Sequence, residues 1–185
     1  EQVLHATIFF DMRPGFGYNE LGERIKAEAV RLASKNEVFL GFLARDCLRA
    51  RPPLTFFKGF VVEKSGEHKN HLDLKGRGIM PFVDVARLLA LRAGLTECNT
   101  LDRLTEVNRR GLLSDQLYSE AAEAFEFLSQ IRLVHQLRLM ESGRQPDNFM
   151  NPADLSELEK RTLKEAFGLV GALQSLVREE FHVQG

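Results

Sequence analysis

Two cysteines in 185 residues, Cys47 and Cys98, are too few for a disulfide scaffold. No apolar run reaches the ~18 residues of a membrane-spanning helix, and no signal peptide is visible. A reducing, cytoplasmic setting with no membrane contact is therefore expected. The net charge of −1 gives no global pull towards nucleic acid or an anionic surface, so no nucleic-acid partner is expected. Phosphate-binding Walker loops, nucleophile elbows and zinc motifs are all missing. Internal repeats and low-complexity tracts are missing too. The first residue is Glu1 rather than Met, which suggests a piece of a longer protein.

What remains is an ordinary apolar and charged composition, long enough to bury one good core. The stretch from Leu72 to Leu91 organises it. Leu72-Asp73-Leu74-Lys75 alternates as a half-buried strand does. Gly76 and Gly78 then loosen the backbone, and Pro81 suits the first turn of a helix. From Phe82 the helix is almost wholly apolar, as a central helix is. Asp84 and Arg87 interrupt it three residues apart, so they share a face and are expected to form a buried ion pair. Lys75 and Arg77 around Gly76 can serve as an anion site or simply be solvated.

Around this segment the reading is mostly helical. Val3 to Phe10 is expected as an isolated strand, followed by a turn-rich linker to Gly17. Helices are expected from Asn19, as cap, to about Ser34, and from Glu37 to about Ala50 behind an Asn36 cap. The first carries Leu21, Ile25, Ala29 and Leu32 as its apolar stripe, and Cys47 in the second reads as a small core residue. Phe60–Glu63 and Leu72–Lys75 are expected to pair as a β-hairpin. The central helix ends at Gly94, a short helix runs from Leu101 to Arg110, and the longest from Asp115 to Glu141. Ser156 and Glu159 make a capping box for a last helix reaching Phe181. His68 and His71, three apart, lack the companions a metal site needs. His135 continues an apolar row with Arg132 one turn before it. It reads either as a hydrogen-bonded core histidine or as a ligand contact shared with Arg132 and Gln136. Short connections predict an antiparallel helical bundle with one β-hairpin and an isolated N-terminal strand.

Several segments together carry a resemblance. They are Ile8-Phe9-Phe10-Asp11-Met12-Arg13-Pro14, Leu43-Ala44-Arg45-Asp46, Gly66-Glu67-His68-Lys69, the Leu72–Leu91 stretch, His135-Gln136-Leu137 and Pro146-Asp147-Asn148-Phe149. The chain resembles the substrate-binding domain of nucleotidyltransferases once called domain of unknown function 294, C-terminal part. More distantly, Lys75 to Pro81 is similar to the Lys-x-Gly-x-Gly-Gly-x-Arg-Asp/Glu region of protein-PII uridylyltransferases and glutamine synthetase adenylyltransferases. Its glycines are sparser, and Met80-Pro81 stands near that region's Arg-Asp/Glu. In bacterial signalling proteins such a domain follows a nucleotidyltransferase domain, often with CBS and cyclic-nucleotide-binding domains upstream.

The resemblance implies that residues 1–17 end an upstream catalytic domain and that 18–185 form the helical substrate-binding domain. Nucleotidyl transfer needs acidic residues holding divalent metal against triphosphate oxygens. The family supplies them from a Gly-Ser motif that this sequence lacks. No cofactor is expected in this chain alone, whereas magnesium and a nucleoside triphosphate are expected for the full-length protein. Asp11, ending the last catalytic-domain strand, is the one candidate metal ligand. Lys75 and Arg77 are expected to contact phosphate, oriented by Asp73 and Arg13, with Arg132 and His135 facing the same cleft. The acceptor could be a protein, a small molecule or a nucleotide. The competing class is a non-catalytic interaction or dimerisation module, coupling sensory domains to output, with a homodimer as one form it can take.

Overall fold

The structure, a computed structural model, describes residues 6–55 and 59–183. The protein is mostly α, with six α-helices and one two-stranded antiparallel sheet among the described residues. The chain divides into two compact units. The first holds residues 1–49, 83–118 and 174–185, and the second holds 50–82 and 119–173.

In the first unit, α1 spans Asn19–Ser34 and α2 spans Glu37–Cys47. Asn19 is the first helical residue of α1 rather than its cap, and Tyr18 before it makes no capping bond. Asn36 does cap α2, accepting the Phe39 amide at 3.0 Å. Cys47 closes α2 and is buried, and burial pushes its thiol up. The Gln174 amide donates to the Cys47 carbonyl at 3.0 Å.

The apolar stripe of α1 is a correction. Leu21, Ile25 and Leu32 are all more than half exposed, and the buried residues are Lys26, Val30 and Ala33. A helix face is chosen by what the neighbours can cover, and here the mixed face wins over the purely apolar one.

The N-terminal strand is a second correction. Val3 to His5 lie outside the described residues, and Thr7–Asp11 is a 3-10 helix. Among the described residues no strand is there to pair with this one, so its backbone closes on itself. Phe10 is buried with its ring 5.9 Å from that of Phe39.

Helix α3, Met80–Arg92, carries the largest concentration of buried residues, as its composition requires. Gly94 follows with φ +69° and turns the chain away. Helix α4, Thr100–Arg109, is capped by Asn99, which accepts the Leu101 and Asp102 amides at 2.8 and 3.3 Å.

The second unit takes residues from α5, Asp115–Glu141, and α6, Glu157–Phe181. The capping box forms as expected, with Glu159 accepting the Ser156 amide at 2.7 Å and Ser156 accepting the Glu159 amide at 3.2 Å. The sheet is antiparallel, but the partner of the Leu72 strand differs from expectation. β1, Leu72–Asp73, pairs with β2, Phe149–Met150, in the register Leu72 to Met150 and Asp73 to Phe149. Phe60 forms only an isolated bridge with Leu54. Glu63 keeps two backbone bonds to the other arm, to His71 at 2.9 Å and Asn70 at 2.8 Å. Two strand residues are too few to set a local register, so the pairing follows burial of Leu72 and Met150 instead.

Candidate functional site

The glycine turn is built for packing. Leu74–Ile79 winds as a π-helix, with the Met80 amide bonded to the carbonyl of Lys75, five residues back. Asp73 caps it, accepting the Gly76 amide at 2.8 Å. A Cβ on Gly76 would stand 2.3 Å from Asp73 Oδ2. A Cβ on Gly78 would stand 3.1 Å from the ring of Phe167 and 3.5 Å from Leu128. Both glycines thus have structural reasons. The Gly76 N–H, which an anion would need, is already given to Asp73. Replacing Gly78 by Val is expected to cost about 1–3 kcal/mol by overpacking. A urea melt of the variant checks this.

Arg77 is paired with Glu63 at 3.1 Å, and Lys75 is exposed with no ion pair among the described residues. Arg13 is exposed and belongs to the first unit. Lys75, Arg77, Asp73 and Arg13 are not among the residues that line the cleft described next.

His135 is. The second unit holds a cleft of about 710 Å³ whose walls are the C-terminal half of α5, the loop from Arg144 to Leu155, and the Glu67–His71 segment. His135 reaches Asp147 at 3.0 Å through Nε2, with its side chain 15% exposed. One turn earlier, Arg132 Nε donates to Asn148 Oδ1 at 2.6 Å, and Gln136 donates to the same oxygen at 3.3 Å. Residues spaced three apart on one helix face therefore clamp two successive loop residues. Burial would raise the Asp147 carboxyl, but the hydrogen bonds from His135 and the Phe149 amide hold it below its usual value. His68 lies flat on Phe149, with ring centroids 3.8 Å apart and planes within 5°.

The cleft mixes an apolar floor with unspent charge. Ile131, Val134, Leu139, Met150 and Leu155 supply the floor. Glu159 is spent on its capping box and Asp147 on His135. Arg138 and Arg144 also line it and face no carboxylate within ion-pair distance among the described residues. Three lining groups therefore escape a reading of helix stripes alone, namely His68, Asp147 and Arg138. The Gly66–Lys69 and Pro146–Phe149 segments, already singled out in the sequence, were the signal for the first two.

In the first unit, Asp84 and Arg87 pair at 2.8 Å as part of a larger network. Asp11 binds Arg87 through one carboxylate oxygen and Arg103 through the other, both at 2.6 Å. Arg103 also donates to the carbonyls of Phe10 at 3.1 Å and Glu97 at 2.8 Å. Burial would raise the Asp11 carboxyl, but Arg87 and then Arg103 outweigh it and hold it below its usual value. For Asp84 burial dominates, and the carboxyl is pushed up despite Arg87. With both oxygens of Asp11 taken by guanidinium groups, its chemistry here is that of a structural anion. Among the described residues no three His, Cys, Asp or Glu side chains converge on one point. They do not supply the oxygen set that a divalent ion on a triphosphate requires.

Residues 37–181 match the family model of the nucleotidyltransferase substrate-binding domain, domain of unknown function 294, C-terminal part. No curated protein and no solved structure matches the chain. Among the described residues no helix is long and apolar enough to cross a membrane. The match spans most of the chain, and the chain belongs to this family.

Proposed function

We propose, on the premise of that membership, that this chain binds and positions a substrate for a nucleotidyltransferase domain, and that the cleft in the second unit receives it. One observation carries the placement. Glu67 and His68, His135, and Asp147 and Phe149 come from three separate segments, the first far in sequence from the other two, and all of them line this one cleft. These are segments on which the resemblance rests. The fixed parts are the Arg132–Asn148 and His135–Asp147 clamps. Arg138 and Arg144 are the cations left to meet an anionic group on the ligand, and the apolar floor takes its body.

In this reading residues 1–17 end the catalytic domain, whose carboxylates hold magnesium and the nucleoside triphosphate. The parent is a bacterial signalling enzyme of protein-PII uridylyltransferase type acting in the cytoplasm, and its acceptor is a nucleotide or a protein. Calorimetric titration with nucleoside triphosphates and with protein-PII tests the site. Arg138→Ala should weaken binding by about 1.5–3 kcal/mol, the worth of a charged hydrogen bond. Lys75→Ala should leave affinity unchanged. A loss on Lys75→Ala with none on Arg138→Ala would move the site to the glycine turn.

The interaction-module reading is favoured by a different observation, the exposed stripe of Leu21, Ile25 and Leu32 on α1. Such a row is the kind of surface a partner covers. Sedimentation of the wild type beside Ile25→Asp tests it. A concentration-dependent dimer that the substitution abolishes would make α1 a self-association face.

A further inference from the structure

A lysine lies buried against a thiol in the first unit. Lys26 sits on the inward face of α1 and is only 5% exposed. Its Nζ donates to Cys98 Sγ at 2.8 Å, across 72 residues of chain. No carboxylate lies within ion-pair distance of this amine among the described residues. Glu97, next to Cys98, turns one carboxylate oxygen into the interior with no hydrogen-bond partner among the described residues. Cys98 is half-buried, so a small oxidant can reach its sulfur. Its remaining contact is weak, a 3.6 Å approach to the carbonyl of Met12. An amine buried at this cost usually has an ionic partner. Here its partner is a half-buried thiol.

We propose that Lys26 and Cys98 form a peroxide-dependent covalent cross-link. Hydrogen peroxide oxidises the Cys98 thiol to sulfenic acid and is itself reduced to water. The sulfur is then electrophilic and already in contact with the amine. The Lys26 nitrogen, in its amine form, attacks it, the S–O bond breaks, and the hydroxyl leaves as water with a proton from nitrogen. The product is a sulfenamide, one S–N bond joining α1 to the segment before α4. A second thiol reverses it by taking the sulfur as a mixed disulfide and returning the amine. The cross-link closes a long loop and adds a constraint to the unfolded chain.

The test uses the folded chain, hydrogen peroxide as the only oxidant, and tryptic digestion without reductant. A modified Lys26 is not cut by trypsin. The expected species therefore joins the peptide 25–31, uncut after Lys26, to the peptide 93–103, and weighs two hydrogens less than their sum. It should disappear on adding dithiothreitol and in Cys98→Ser. In Lys26→Gln, checked for folding by its thermal melt, Cys98 should instead accumulate as a dimedone adduct. Melting temperature should rise in oxidised wild type and fall back on reduction. Cys98 left as a thiol, oxidised with Lys26 still cleavable, or joined to Cys47 would each overturn the proposal. If Lys26→Gln does not fold, the wild-type peptide pair and its loss in Cys98→Ser still decide.

Discussion

Asp11→Asn is expected to cost about 3–5 kcal/mol of stability, the price of breaking a buried charge network by removing one partner. The side chains of Arg87 and Arg103 are 9% and 3% exposed, and Asp11 is the one carboxylate that binds both. The amide keeps the shape but removes the charge and one acceptor, so Arg103 loses its carboxylate partner and Arg87 is left with Asp84. Asp84→Ala should cost less, about 1.5–3 kcal/mol, because Arg87 keeps Asp11. Urea melts of the two variants give the ranking. A loss under about 1 kcal/mol for Asp11→Asn, the range of exposed pairs, would place the network in solvent.

The same network sets the acid response, and its two carboxylates pull in opposite directions. Asp11 is held below its usual value, so its contribution is present above the unfolded-state value and is lost as pH falls through the lower folded one. Asp84 is raised, so its contribution is full below the unfolded value and is lost as pH rises through the higher folded one. On acidification the Asp84 term should therefore strengthen first, above the usual aspartate range, before the Asp11 term fails below it. Asp84→Asn should remove the first phase and leave the second. Melts across an acid pH series show whether the phases separate this way.

Phe167→Ala is the second large expected effect, about 3–5 kcal/mol, or a drop in Tm on the order of 10 °C. The ring has no exposed surface. It meets Phe60 edge-on, with centroids 6.2 Å apart and planes at 87°. It also lies beside the bare backbone of Gly78, which has no side chain to extend into the void. The cavity would open directly beneath the π-helix. Hydrogen exchange should consequently speed up at Gly76 and Met80, whose amides hold that turn. Exchange that stays slow there, with a normal melt, would mean that Gly78 and Leu128 collapse onto the space.

The helices were legible because their ends are written in local chemistry. Asn36 and the Ser156–Glu159 box each act over three residues, and both formed where the sequence puts them. What failed to show was chosen at long range. β1 pairs with a segment 77 positions away through two residues, too few to leave an alternation. The apolar row of α1 was plain, but the sequence does not say which face the rest of the unit can cover. The Asp11 network had one available signal. Thr100, Arg103, Leu104 and Val107 sit at the spacing of a buried helical stripe, and an arginine inside such a stripe needs an anion. The cleft was half visible, since His135 was singled out and its partner Asp147 stood within a marked segment. The glycine turn is ambiguous in sequence because glycine serves close packing and anion cradling equally well, and the packing reason for Gly78 shows only with the position of Phe167.

The π-helix at Leu74–Ile79 also bears on how the length of this chain can drift. A π turn holds one residue more than the α turn it replaces. A single-residue deletion inside 74–79 has a ready outcome, the closing of the ring into α geometry, whereas the same deletion within α5 would rotate every later side chain by about 100°. Relatives that differ by one residue should carry the gap here, and aligning them without one would misplace Asp84 and Arg87 relative to the turn.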